Sequence, residues 1–162
     1  MPPRVKTGAN YLNSRYALLE SRLKNHDVPI LLNRDGNVSE SSGACVFMIN
    51  KDTLITPALS DGILESITRD TVISLASELD IKTETRSINR TELMLANELF
   101  LCGSAAEITP ICILDGRKVG MGCRGRITRQ LTQLYFETVE GSNECHPEWL
   151  TTVRKPQKSK LF

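Results

Sequence analysis

Four stretches of this chain carry residue types that could do chemistry. In Lys6-Thr7-Gly8-Ala9-Asn10-Tyr11-Leu12 a lysine stands just ahead of a small, flexible step and a predicted helix. A lysine so placed could be a Schiff-base nucleophile, because an amine condenses with an aldehyde only when it is held desolvated beside the carbonyl. In Asn37-Val38-Ser39-Glu40-Ser41-Ser42-Gly43 a carboxylate ends a strand and enters a loop of small residues. An ionised carboxylate there would favour the charged form of a protonated ring nitrogen at hydrogen-bond range. In Leu64-Glu65-Ser66-Ile67-Thr68-Arg69-Asp70 a helix starts with free backbone N–H groups and a threonine hydroxyl, which suit an anion. Cys102-Gly103-Ser104-Ala105-Ala106-Glu107-Ile108-Thr109-Pro110 exposes N–H groups and one hydroxyl between two strands, again suited to an anion. Taken singly, each also has an ordinary structural reading: a solvated lysine, a surface glutamate, a helix cap, a turn.

The elements that must position these groups follow from periodicity. Leu12, Tyr16, Leu19 and Leu23 recur at spacings of four, three and four, which predicts a helix over 9–25 with this stripe as its apolar face. Val28 to Asn33 is a short strand, and Asp35-Gly36 turns it into a partner starting at Val38. Ala44 to Ile49 is nearly all apolar, as a central buried strand would be, and Thr53 to Thr56 stops at Pro57; together these suggest an antiparallel meander of three or four strands. From Ile67 the period becomes helical, with Val72, Leu75, Ala76 and Leu79 on one face. Lys82 to Ser87 alternates like an edge strand. A short helix over 90–97, the apolar run Leu99 to Cys102, a strand from Ile108 to Leu114, and a last helix over 127–140 follow. The buried side of that helix would be Ile127, Leu131, Leu134, Tyr135 and Val139. Short strands with helices interspersed, and no βαβ regularity, give an α+β fold. No Gly-x-Gly-x-x-Gly follows a strand, so a doubly wound nucleotide-binding fold does not fit; the glycines from Gly120 to Gly125 read as conformational.

Composition narrows the function classes. With 162 residues, 40% hydrophobic and 24% charged, and a net charge of +1, the chain reads as one globular domain that presents no basic face for nucleic acid. No apolar run approaches the roughly twenty residues of a membrane span. Five cysteines without Cys-x-x-Cys spacing suggest reduced thiols and a cytoplasmic location, and the two histidines have no partner at metal-ligand spacing, so no metal site is expected. Past Gly141 the chain turns polar and basic, which reads as a largely disordered tail over 142–162.

In this order the four stretches resemble the large C-terminal domain of the class IV pyridoxal-phosphate aminotransferases, and most closely the branched-chain amino acid aminotransferases. The resemblance runs from about Val5 to Gly141. It is carried by Lys6-x-Gly8-x-Asn10-Tyr11-Leu12, Asp35-Gly36-x-x-x-Glu40-x-x-Gly43, Leu54-x-Thr56-Pro57, Ile67-Thr68-Arg69-Asp70, Gly103-Ser104-Ala105-Ala106-Glu107-Ile108-Thr109-Pro110 and Gly122-x-x-Gly125-x-x-Thr128.

The resemblance implies a short-stranded sheet or pseudobarrel with flanking helices over 1–141. It also implies pyridoxal 5'-phosphate as cofactor, and transamination between branched-chain L-amino acids and 2-oxoglutarate. Lys6 would hold the cofactor as a Schiff base and shuttle the proton. Tyr11 would lie beside the cofactor's phenolic oxygen, Glu40 would keep the ring nitrogen protonated, and Leu64 would pack on the ring. Ile67, through its backbone N–H, and the hydroxyls of Thr68 and Ser104 would bind the phosphate, and the backbones of Ala105 and Ala106 would line the substrate carboxylate site.

The partners implied are the amino acid and 2-oxo acid substrates and a second copy in a homodimer. The same fold also hosts D-amino-acid aminotransferases and pyridoxal-phosphate lyases. The chain departs from the family pattern at Ser41, Ala44 and Cys45, where many relatives read Glu-Gly-Ser-Gly-Glu-Asn against Glu40-Ser41-Ser42-Gly43-Ala44-Cys45, at Ser104 where threonine is usual, and at Arg126 where proline is common. The family's smaller N-terminal domain is expected to be missing, which leaves a non-catalytic cofactor-binding remnant as a further alternative.

Overall fold

The computed structural model of the chain describes residues 2–151 and 153. It opens on helix α1 (Gly8–Leu23), followed by a hairpin of β1 (Ile30–Leu32) and β2 (Val38–Ser41). Asn33 closes the hairpin turn, its side-chain oxygen accepting the N–H groups of Asp35 and Asn37, both at 3.0 Å.

The main sheet has five strands in the order β5-β4-β3-β6-β7. These are β3 (Cys45–Asn50), β4 (Thr53–Thr56), β5 (Thr83–Thr85), β6 (Glu98–Gly103) and β7 (Glu107–Pro110). Strands β3 and β4 form a hairpin, and β6 pairs antiparallel with the other edge of β3. Helix α2 (Ile67–Glu78) carries the chain over to β5, which lies parallel to β4 at the sheet edge. The expected meander is therefore interrupted. The Ser41 N–H donates to the Ala44 carbonyl at 2.8 Å, a tight bend that separates the β1–β2 hairpin from the main sheet.

Both faces of the sheet are covered, which is why β3 reads as continuously apolar. On one face Phe47, Ile49 and Phe100 pack with Val72, Leu75 and Ala76 of α2 and with Ile127, Leu131 and Tyr135 of helix α4 (Arg126–Val139). Phe47 and Phe100 stack with centroids 5.0 Å apart. On the other face Val46, Met48, Leu99 and Leu101 meet Val38, Ile88 and Leu93.

Three further expectations change. The strand expected over 108–114 is two strands: β7 ends at Pro110, the Ile111 N–H still donates to the Leu99 carbonyl at 2.8 Å, and the chain then leaves the sheet edge. It splits into β7 and β8 (Ile113–Leu114), the latter pairing with β9 (Arg117–Lys118). The helix expected over 90–97 is regular only as α3 (Arg90–Leu93). On α4, Val139 is exposed while Ile127, Leu131 and Tyr135 are buried.

The largest difference lies in α1. Its spacing does make a helix, but the Leu12, Tyr16, Leu19 and Leu23 stripe faces outward, with Tyr16 75% and Leu23 86% exposed. The helix instead docks through Ser14 and Ser21, its buried residues. The Ser14 hydroxyl donates within hydrogen-bond range of the Tyr11 and Ser42 carbonyls, so a small polar side chain brings α1 against the loop after β2.

Beyond Gly141, the His146 ring stacks on Trp149 at 3.6 Å and hydrogen-bonds Glu78 of α2 and Glu148. This part of the expected tail is thus tied to the domain. The remainder, 152 and 154–162, lies outside the described residues. Among the described residues no helix is long and apolar enough to cross a membrane.

Candidate active site

Lys6 sits on the segment that leads into α1, and with Asn10 and Tyr11 it lines a cavity of about 440 Å³. The hairpin strands supply Leu31 and Glu40 to the same cavity, and the loop before α2 supplies Asp61 and Leu64. The fold therefore brings four of the expected residues to one space: Lys6, Tyr11, Glu40 and Leu64.

Glu40 is half-buried, and its Oε2 accepts the Leu64 N–H at 3.0 Å. Burial pushes its carboxyl up from the ordinary carboxylate range, and the Leu64 amide opposes this. Among the described residues it has no cationic partner within ion-pair distance, so a protonated donor entering the cavity would meet an acceptor with capacity to spare.

The remaining five expected residues do not line this cavity. Ile67 and Thr68 form the first turn of α2, with the Ile67 side chain exposed and Thr68 buried. Ser66 is the N-cap and accepts the Arg69 N–H at 3.3 Å. The N–H groups of Ile67 and Thr68 have no acceptor among the described residues, as befits a helix start open to an anion. Ser104, Ala105 and Ala106 turn β6 into β7; Ser104 and Ala105 are exposed, and the Ala106 carbonyl accepts the Thr109 hydroxyl at 2.6 Å.

The sheet links these pieces. A Cβ on Gly103 would stand 3.3 Å from the Gly43 carbonyl, so the β6–β7 turn abuts the loop that follows Glu40. Cys45 stands opposite Cys102 in the β3–β6 register. The neighbouring Cys102 thiol is the largest influence holding the Cys45 thiol below its ordinary value, and the Cys45 thiol together with burial pushes Cys102 up.

Three residues to which the sequence assigns no role, Arg69, Asp61 and Asn10, hold the site. Arg69, with its side chain almost wholly buried, donates from Nε to the Thr56 hydroxyl at 3.2 Å and from its terminal nitrogen to the Pro57 carbonyl at 3.1 Å. It pins the start of α2 to the end of β4. The signal for it was its place in the apolar period of α2, three residues before Val72 and seven before Ala76. Asp61, also buried, accepts from Ser87 at 2.9 Å, Asn33 at 3.2 Å and the Ala58 N–H at 3.1 Å, which fixes the cavity wall. Asn10 secures the Lys6 segment. Asp61 and Asn10 act through contacts distant in sequence or off the helix ladder, which periodicity does not register.

The residues present fit pyridoxal phosphate on these observations: an amine and an underbonded, half-buried carboxylate share one cavity, and uncapped N–H groups open a helix nearby.

Comparison with known proteins agrees. Residues 1–114 match the sequence model of the family described as amino-transferase class IV. A probable branched-chain-amino-acid aminotransferase of Aquifex aeolicus (strain VF5) is 44% identical over 94% of this chain and 50% of its own length. The Escherichia coli (strain K12) branched-chain-amino-acid aminotransferase is 37% identical over 96% of this chain and 50% of its own length. Among solved structures, the PLP-form of the branched-chain amino acid aminotransferase from Thermobaculum terrenum superposes with a TM-score of 0.91 at 49% identity, covering 93% of this chain and 50% of that one. The chain spans about half the length of the curated relatives it matches.

Proposed function

Since this chain belongs to the class IV aminotransferase family, we propose that it forms the cofactor-binding half of an enzyme that transfers amino groups between branched-chain L-amino acids and 2-oxoglutarate, with pyridoxal 5'-phosphate as cofactor. The observation that carries this reading is the single cavity holding Lys6, Tyr11, Glu40 and Leu64, with a Glu40 carboxylate that has no cation partner among the described residues. The names of the relatives favour branched-chain substrates over the D-amino-acid and lyase alternatives.

When bound, pyridoxal phosphate supplies an electron sink for the bond broken at the substrate Cα. The chain's own residues do the rest. Lys6 would hold the group covalently, and its free amine would move the proton at the substrate Cα. Glu40 would keep a proton on the ring nitrogen by presenting a desolvated carboxylate, which the Leu64 N–H keeps aimed. Tyr11 would bind the phenolic oxygen, and the Leu64 side chain would pack on the ring. The Ile67 N–H and the Thr68 and Ser104 hydroxyls would hold the phosphate, and Ala105 and Ala106 would offer backbone N–H groups to the substrate carboxylate. We assign the enzyme to the cytoplasm, consistent with its five free cysteines, and to a homodimer.

The test is spectroscopic. Pyridoxal phosphate added to the protein should give a visible band absent in Lys6→Ala, and leucine should bleach it. Bleaching by D-alanine and not leucine would overturn the substrate assignment. A band that no amino acid bleaches would leave this chain as a cofactor-binding remnant.

A further inference from the structure

Lys6 is held by a side chain outside the set above. The Asn10 carboxamide donates both of its hydrogens, to the Pro2 carbonyl at 3.0 Å and to the Val5 carbonyl at 2.9 Å. Those carbonyls already close the turns around the lysine: Val5 N–H donates to Pro2 at 3.2 Å, and Thr7 N–H donates to Val5 at 2.9 Å. The Asn10 N–H in turn donates to the Thr7 carbonyl at 3.1 Å. One residue in the first turn of α1 thus binds the chain before Lys6 through its side chain and the chain after it through its backbone.

The segment has little else to fix it. Pro2 to Lys6 is exposed, and among the described residues its other side-chain tie is the Arg4–Glu65 ion pair at 2.6 Å between side chains more than half exposed. Surface pairs of this kind contribute little, because solvent screens them and two long side chains must be held in one geometry. By contrast, the two carboxamide bonds are directional, and both donors of the group are used.

We infer that Asn10 is the positioning residue for Lys6: its carboxamide clasps the Pro2–Val5 turn to α1 and so fixes where the lysine amine enters the cavity. This rests on the assignment of Lys6 as the cofactor-binding lysine. The chemistry makes the clasp sensitive to one atom. In Asn10→Asp the donor nitrogen becomes a carboxylate oxygen of the same size that faces two carbonyl oxygens, so attraction becomes repulsion. Asn10→Ala removes the donors without adding charge.

The experiment measures amide hydrogen exchange at Val5 and Thr7 in the cofactor-free protein, and the pyridoxal phosphate concentration that half-saturates borohydride-trapped label on Lys6. The loss of two hydrogen bonds should accelerate exchange at Val5 and Thr7 about tenfold or more and raise the half-saturating concentration by a similar factor. Asn10→Ala should move both in the same direction by a smaller factor. Exchange at Phe47 and Phe100 reports the core and should stay unchanged, which separates loss of the clasp from global unfolding. Unchanged exchange at Val5 and Thr7, or unchanged Lys6 labelling, in both variants would overturn the inference. Accelerated exchange in a protein whose wild-type form takes no label on Lys6 would reject the assignment of Lys6 and leave Asn10 as a turn clasp without a positioning role.

Discussion

The Leu64 amide donates to Glu40 Oε2 at 3.0 Å, so the carboxylate on the hairpin and the loop that leads into α2 are one mechanical unit. The next residues extend the link: Glu65 pairs with Arg4, two positions from Lys6, and Ser66 caps α2. Three consecutive residues therefore tie the carboxylate, the lysine segment and the helix start together.

Glu40→Gln tests the carboxylate in two ways. A glutamine oxygen can still accept from Leu64, so the loop is retained, but the negative charge is lost. The rate at which leucine bleaches the Lys6-dependent band should fall roughly 100-fold or more, in the range of a lost proton-holding group. An unchanged rate measured by stopped flow would remove Glu40 from the chemistry.

The same substitution has a pH signature in the cofactor-free protein. Glu40 in the folded state keeps its proton to higher pH than an unfolded glutamate, whose ordinary value is 4.5. The folded state then binds more protons, so stability falls as pH rises through the window just above that value. Glu40→Gln lacks this loss, and its urea midpoint relative to wild type should rise across that window. A relative midpoint that stays flat would contradict the burial of this charge.

Arg69 predicts a stability effect. Arg69→Met keeps the buried length but strips the bonds to Thr56 and Pro57, leaving buried acceptors unpaired. The expected cost is about 2–3 kcal/mol in urea unfolding. A variant as stable as wild type would show that α2 is not anchored this way.

How much of this was legible in the sequence depends on which force set each feature. The β3 run, the Asp35-Gly36 turn and the period of α2 were readable because local pattern and burial agree there. Glu40 and Lys6 stood out in the sequence through their motif context, and the structure places them on one cavity. The outward face of α1 was not legible. An apolar spacing of four, three and four says helix, but not which side meets a neighbour, and here Ser14 and Ser21 make the contact. The Asn10 clasp and the Asp61 cluster rest on directional hydrogen bonds, which leave no hydrophobic period.

That reversal of α1 is itself testable. Leu23→Ser and Tyr16→Ser remove exposed groups, so each should change unfolding free energy by less than about 0.5 kcal/mol. Losses of several kcal/mol would mean that the stripe is covered in the folded protein.

His146 gives a second pH response. Its hydrogen bonds to Glu78 and then Glu148 raise its pKa above the ordinary 6.5. A raised histidine stabilises fully below its unfolded value, and the gain disappears as pH rises through the folded value. Trp149, the one tryptophan, stacks on this ring and reports its charge. Its fluorescence should increase as pH climbs above 6.5 and His146 loses its proton, and His146→Gln should abolish the step. A fluorescence profile identical in the variant would contradict the stacking of the His146 ring on Trp149.

Lys6 is proposed as the lysine that takes the cofactor. Borohydride reduction of the protein with pyridoxal phosphate, followed by peptide mass mapping, addresses it most directly. A single dominant label on Lys6 is expected at low cofactor concentration, lost in Lys6→Ala. Label spread over surface lysines such as Lys24 and Lys51, or none on Lys6, would contradict it.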